Sequence, residues 1–178
     1  VIETKDFGKI PQKLGVKVDF NENPEHYLSF TPTYQNDFQA FVPISTGCDH
    51  FCTFCIVPFA RGGEICRDAS SIISEVAKLV ETGYKDITLL GQTVNRWINP
   101  EYDEEMKQGM IANTRITGLN KKLMDNQNCN EPKDFLQLLQ RLDEIPGDWW
   151  MTFVSSHPNY MTIELIEFLA KSKHFRPY

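Results

Sequence analysis

Apolar positions along this chain fall into three short runs and three helical stripes, and the two kinds alternate. Phe41 to Ile44 is a short apolar run that tolerates Pro43 and ends at Thr46-Gly47. It reads as a strand delivering a loop. Asp68 or Ser70 can cap a helix reaching about Thr82, with Ile72, Ile73, Val76, Ala77, Leu79 and Val80 at helical spacing and Gly83 where a C-terminal cap belongs. Ile87 to Leu90 is a compact strand closed by Gly91. A second helix runs from about Pro132 to Glu144, with Phe135, Leu138, Leu139 and Leu142 on one side, and Pro146-Gly147 turns the chain. Trp149 to Val154 is a third strand, ending at Ser155-Ser156-His157-Pro158, and Thr162 can cap a helix holding Ile163, Leu165, Ile166, Leu169 and Ala170.

Strand–loop–helix, three times over, predicts an α/β fold with a parallel sheet and right-handed crossovers. Chemistry in such folds collects on the loops after the carboxyl ends of the strands. The loops after residues 46, 90 and 154 therefore share one edge. Two regions depart from the alternation. Residues 1–40 carry Pro11, Pro24 and Pro32 among polar residues and read as a connector from a missing N-terminal domain, leaving 41–178 as the folded unit. Residues 98–131 are rich in Asn, Lys, Gln, Asp and Glu and read as a surface insertion.

The first loop carries the chemistry. Cys48-Asp49-His50-Phe51-Cys52-Thr53-Phe54-Cys55 is C-x3-C-x2-C with an aromatic just before the last cysteine. Three thiolates can ligate three irons of a four-iron cluster and leave the fourth open, whereas a structural zinc site closes its coordination with four ligands. His50 or Cys66 as a fourth zinc ligand is the rival reading. His50 sits awkwardly between two of the cysteines, and no second C-x2-C pair exists to complete a zinc ribbon. Composition narrows the class further. The 178 residues suffice for one domain, and a net charge of −6 gives no overall basic footprint for nucleic acid. No stretch approaches the apolar length needed to span a bilayer. Five cysteines, three of them clustered, suit a reducing, cytoplasmic setting better than a disulfide framework. A chain beginning at Val1 and stopping at Tyr178 just past a helical stretch is expected to be a piece of a longer protein.

Cys48, Cys52, Phe54 and Cys55 fit the hallmark of the S-adenosylmethionine radical enzymes. Three further runs carry a sharper resemblance. Phe41-Val42-Pro43-Ile44-Ser45-Thr46-Gly47-Cys48, then Cys55-Ile56-Val57-Pro58-Phe59-Ala60-Arg61-Gly62, and Leu89-Leu90-Gly91-Gln92-Thr93-Val94-Asn95 resemble the MiaB-type tRNA methylthiotransferases, as does Ser155-Ser156-His157-Pro158. The resemblance implies a partial (β/α) barrel of the radical type, here truncated to about three strand–helix units. It implies a four-iron, four-sulfur cluster on Cys48, Cys52 and Cys55, with S-adenosylmethionine bound at the open iron and cleaved by one electron to a 5′-deoxyadenosyl radical. It implies methylthiolation at C2 of an isopentenylated adenosine beside the tRNA anticodon. A second cluster in an upstream domain, an RNA-gripping downstream domain, an electron-donor protein and a monomeric state belong to the same expectation.

By the same resemblance Phe54 contacts the adenine of the cofactor, Gln92 and Asn95 its methionine part, and Ser156 and His157 cofactor or substrate. Arg61, Glu64 and Arg67 match the family's R-G-x-E-x-S-R run and are expected at the cofactor site, where an arginine fork suits a carboxylate or phosphate and Glu64 can hold such an arginine in place. Cys66, Asp68 and Thr93 depart from the family pattern, which usually has serine, proline and asparagine there. Cys66 and Cys129 read as free thiols, and Trp97, Trp149 and Trp150 as packing residues. Two other readings stand beside this one: a sibling enzyme that methylthiolates an aspartate of a ribosomal protein, and a non-catalytic, zinc-stabilised RNA-binding module.

Overall fold

The computed structural model describes Leu28, Tyr34, residues 37–102 and residues 131–176. Strand β1 is Gln39–Pro43, followed by the two-residue strand β2, Ser45–Thr46. Helix α1, Val57–Arg61, lies within the cysteine loop, and strand β3, Ile65–Cys66, leads out of it. Helix α2 is Ala69–Glu81, strand β4 Asp86–Leu90 and helix α3 Phe135–Asp143. Strand β5, Trp150–Phe153, and helix α4, Ile163–Lys171, complete the order. The expected α/β alternation and parallel sheet are present: β1, β4 and β5 pair in that order, all parallel.

Period-two alternation assigns the sheet faces. Ala40, Ile87 and Met151 form one row and Val42, Leu89 and Phe153 the next. These rows pack with Ile72, Val76, Leu138, Leu139, Leu142 and Leu165 of the three long helices in one core. On the other face Thr88 and Thr152 join hydroxyls at 3.0 Å, while Phe41 and Trp150 stay partly exposed. Helix α2 lies against β1 and α3, and α3 against α4, so each helix rests on its chain neighbour. Trp97 and Trp149 belong to this core.

Several boundaries move from the expectation. The connector gives way to strand at Gln39, and Tyr34 already donates to the Phe41 carbonyl at 3.1 Å. The polar stretch 98–131 starts inside the fold. Ile98 is buried and bridges Asp134, and the buried Asn99 bonds Pro132 and Lys133 through Nδ2 and its amide. Those five residues staple the stem of the stretch, so a surface reading fails at its first two residues; residues 103–130, including Cys129, lie outside the described part. Beyond α4, the Met151 amide donates to the His174 carbonyl and the Arg176 amide to the Met151 carbonyl. A third parallel pairing, a single bridge, thus stands beside β5 at Phe175.

Helix starts follow local chemistry. Asp68, Asp134 and Thr162 each cap a helix by accepting from the amide three residues on. Burial pushes the Asp68 carboxyl up, but hydrogen bonds from Ser71 and Ser70 outweigh it and hold the group below its ordinary value. Asp68→Ala is expected to cost about 1 kcal/mol at neutral pH. A carboxyl with a depressed folded pKa stabilises above its unfolded value and loses that contribution as pH falls through the folded one. Thermal melts of the two forms should therefore differ at pH 7 and converge in acid; a gap independent of pH would assign the effect to helix propensity instead. Among the described residues no helix is long and apolar enough to cross a membrane.

Candidate functional site

The carboxyl ends of β1, β4 and β5 do face one edge, and three loops meet there. The cysteine loop is pinched at its neck. β2 and β3 pair antiparallel, Ser45 with Cys66 and Thr46 with Ile65, and the Cys48 amide donates to the Gly62 carbonyl at 3.1 Å. Gly47 makes this closure possible: its φ is +73°, and a Cβ there would run into the Gly63 carbonyl. Within the loop the Cys55 amide returns to the Cys52 carbonyl at 2.9 Å, and Phe51 takes a φ of 39°.

The three cysteines are free thiols in different surroundings: Cys48 buried, Cys55 intermediate, Cys52 exposed. Cys48 Sγ lies 3.6 Å from Thr93 Oγ1, the first contact between the cysteine loop and the β4 loop. Among the described residues no group of three or more His, Cys, Asp or Glu side chains gathers around a point where one metal ion could sit. In a four-iron cluster each thiolate caps a separate iron, so its ligands stand further apart than around a single ion. Three unpaired soft donors on one short loop fit that chemistry. A zinc site closed by His50 fits less well, because the His50 ring stacks on His157, centroids 4.6 Å apart and planes 4° from parallel. Tyr160 completes this ring cluster at 5.6 Å from both. Burial foremost, then His157 and Arg96, pulls His50 below the ordinary imidazole value.

Asn95 joins the β4 loop to the β5 loop. Its Nδ2 donates to the His157 carbonyl at 2.9 Å and its Oδ1 accepts from the His157 amide at 2.8 Å. The Val94 amide adds a bond to the Ser155 carbonyl at 3.2 Å, and Ser155 holds a φ of 63°. Asn95→Ala removes both bonds of a buried side chain, so a loss of about 2 kcal/mol is expected from two net contributions of ~1 kcal/mol each. Urea unfolding and hydrogen exchange at the His157 amide measure it; an unchanged midpoint would show that the loops hold together without Asn95.

The remaining candidates divide. Gln92 is half-buried beside Thr93, and His157 is half-buried in the ring cluster. Phe54 is 92% exposed. Arg61, at the end of α1, and Ser156 are also exposed. Arg67 points into the fold, donating to the Pro43 carbonyl at 2.9 Å and pairing with Glu75 at 2.7 Å. Glu64 pairs with Arg96 at 2.7 Å, and Arg96 also reaches Asp49 at 3.3 Å. Burial opposes the Arg96 charge, but Glu64 first, and Asp49 with it, override this and hold the guanidinium above its ordinary value. Asp49, Glu64, Cys66 and Arg96 line a pocket of about 280 Å³ with Ile65, Ile98 and Pro100. Sequence reasoning passed over Arg96, Asp49 and Tyr160. Arg96 alone left a trace, as the cation one helical turn beyond Gln92.

No family model matches the chain. Curated relatives do. The chain is 35% identical over 164 residues to the tRNA-2-methylthio-N(6)-dimethylallyladenosine synthase of Finegoldia magna, covering 92% of this chain and 28% of that protein. To the Treponema pallidum protein of the same name it is 36% identical over 175 residues, 93% of this chain and 34% of the relative. To that of Clostridium botulinum it is 38% identical over 138 residues, 77% and 24% respectively. The chain thus spans roughly a quarter to a third of the length of the curated relatives it matches.

Proposed function

We propose that this chain is a stretch of a MiaB-type tRNA methylthiotransferase and that it forms the part of such an enzyme that holds a four-iron, four-sulfur cluster and S-adenosylmethionine. The observation that carries the reading is the C-x3-C-x2-C loop of free thiols at the carboxyl edge of a parallel sheet, in a chain similar to enzymes named for this reaction.

Cys48, Cys52 and Cys55 would hold the cluster. Cluster and sulfonium cofactor together supply a one-electron cleavage that ends in hydrogen abstraction from an unactivated C–H bond, chemistry that side chains alone do not perform. The protein's part is position. Thr93 touches the buried thiol and Asn95 locks the His157 loop, so three loops from three strands keep one arrangement. Gln92, able to donate and accept, would meet the amino and carboxylate ends of the cofactor, and the exposed Phe54 would be open to stack on its adenine. Arg61, Ser156 and His157 remain for cofactor or RNA contact.

The sheet fits one wall of a partial barrel. Each new parallel strand adds on the same side of the last, β1 then β4 then β5, and the pairing at Phe175 continues the series. Methylthio transfer to C2 of N6-isopentenyladenosine in tRNA is the activity proposed, with an electron-donor protein as a further partner. The run Gly91-Gln92-Thr93-Val94-Asn95 favours this substrate over a ribosomal-protein aspartate. Anaerobic reconstitution of the complete polypeptide should give a brown protein with iron and sulfide that cleaves S-adenosylmethionine under a strong reductant. Nucleoside mass analysis of tRNA from a deletion strain should lack 2-methylthio-isopentenyladenosine. An unchanged level of that nucleoside removes the substrate assignment; a colourless protein with stoichiometric zinc removes the enzyme.

A further inference from the structure

We propose that Arg96 is a positioning residue for the cysteine loop, a clasp that holds Asp49, the neighbour of Cys48, against Glu64 on the chain returning from that loop. This inference rests on the cluster reading above and adds a residue to it.

The geometry is a closed triangle. Arg96 Nη1 stands 2.7 Å from Glu64 Oε2 and 3.3 Å from Asp49 Oδ2, and the Glu64 amide donates to Asp49 Oδ1 at 3.1 Å. The Glu64 side chain is 8% exposed and that of Arg96 17%. A carboxylate this far from water needs its counter-charge, and removing one partner of a buried pair strands the other. The clasp acts at the cluster loop itself. One short helical turn, Val94–Arg96, separates it from Thr93, whose hydroxyl touches Cys48 Sγ. The same turn therefore grips two consecutive residues of the cysteine loop, Cys48 by contact and Asp49 by charge.

Charge gives the clasp a signature that packing lacks. The triad carries one positive and two negative groups. Without the arginine, two carboxylates face each other beside a loop of thiolates, and like charges at this range repel. The complete polypeptide, reconstituted anaerobically, should be compared with Arg96→Gln, Arg96→Lys and the triple replacement Arg96→Gln/Asp49→Asn/Glu64→Gln. Arg96→Gln should lose iron to a chelator at least about tenfold faster than the parent. Arg96→Lys should fall between, since lysine keeps the charge without the planar fork. The triple replacement, with no charge left to repel, should recover most of the retention even if Arg96→Gln folds poorly. Redox titration of the signal that depends on Cys52 should order the potentials as Arg96→Gln lowest, parent between, triple replacement highest, because net negative charge near a cluster disfavours its reduced form. A structural ion pair far from the cluster would not produce that order. The proposal is overturned by parent-like iron retention in Arg96→Gln, or by a triple replacement no better than the single one. A parent protein that binds no iron overturns the cluster reading itself, and the clasp with it.

Discussion

Cys52→Ser should abolish iron retention and cofactor cleavage while leaving the fold intact. The side chain is exposed and forms no disulfide, so its loss costs the fold within about 0.5 kcal/mol. The loss to the cluster is of another size. Serine offers a hard oxygen where a soft thiolate is needed. Even partners in the outer shell of a metal ligand cost about 10–100-fold in affinity when replaced, so removing a ligand should exceed the upper figure. Iron and sulfide content, the visible spectrum and deoxyadenosine formation measure one arm; thermal unfolding of the metal-free protein measures the other. Two controls sharpen the result. Cys48→Ser should show the same iron loss with some loss of stability, since that thiol is buried against Thr93. Cys66→Ser should keep its iron, because Cys66 lies in β3 across from Ser45 and outside the cysteine run. Full iron retention in Cys52→Ser would sink the three-thiolate assignment.

Gly47→Ala should be the most damaging alanine replacement among the described glycines. The left-handed φ of +73° costs an alanine about 1 kcal/mol by itself. The added carbon also meets the Gly63 carbonyl, with the Gly62 oxygen 2.8 Å away on the same side. These are backbone atoms, so no rotamer change relieves the contact. Relief requires opening the neck, which breaks the β2–β3 pairing and the bond from the Cys48 amide to Gly62. A total of at least about 3 kcal/mol is expected, read as a lower urea midpoint, together with reduced iron loading. Gly62→Ala separates strain from collision: its φ of +81° with ψ of −169° is a conformation essentially reserved for glycine, but nothing lies within 4 Å of the added carbon, so about 2 kcal/mol, from strain alone, should be lost. Equal losses at the two positions would show that the neck adapts and that strain alone decides.

Much of the frame was readable from residue order. The stripes at Ile72, Val76 and Leu79, and at Leu138, Leu139 and Leu142, are long enough for the helical period to stand out, and each helix opens on a capping side chain. The two-residue strands escaped notice because Ser45–Thr46 and Ile65–Cys66 are too short to show any period. The parallel bridge at Phe175 escaped because only its pairing with Met151 marks it. At the site, the cysteines stood out through spacing alone. Arg96 did not, because its meaning depends on Glu64 and Asp49, 32 and 47 residues away along the chain.

Residue order by itself determined the alternation of strands and helices, the edge on which the loops gather, and the spacing of the three cysteines proposed as thiol donors. These are local properties: periodicity, caps and ligand spacing are written within a dozen residues and survive any change of surroundings. Only the tertiary structure decided which side chains meet across loops. It turned Arg67 toward Glu75, gave Glu64 to Arg96, laid His50 on His157 and tied Asn95 to the backbone of the third loop. A long polar side chain reaches several partners at similar cost, and burial selects among them once the sheet has brought distant loops to one edge.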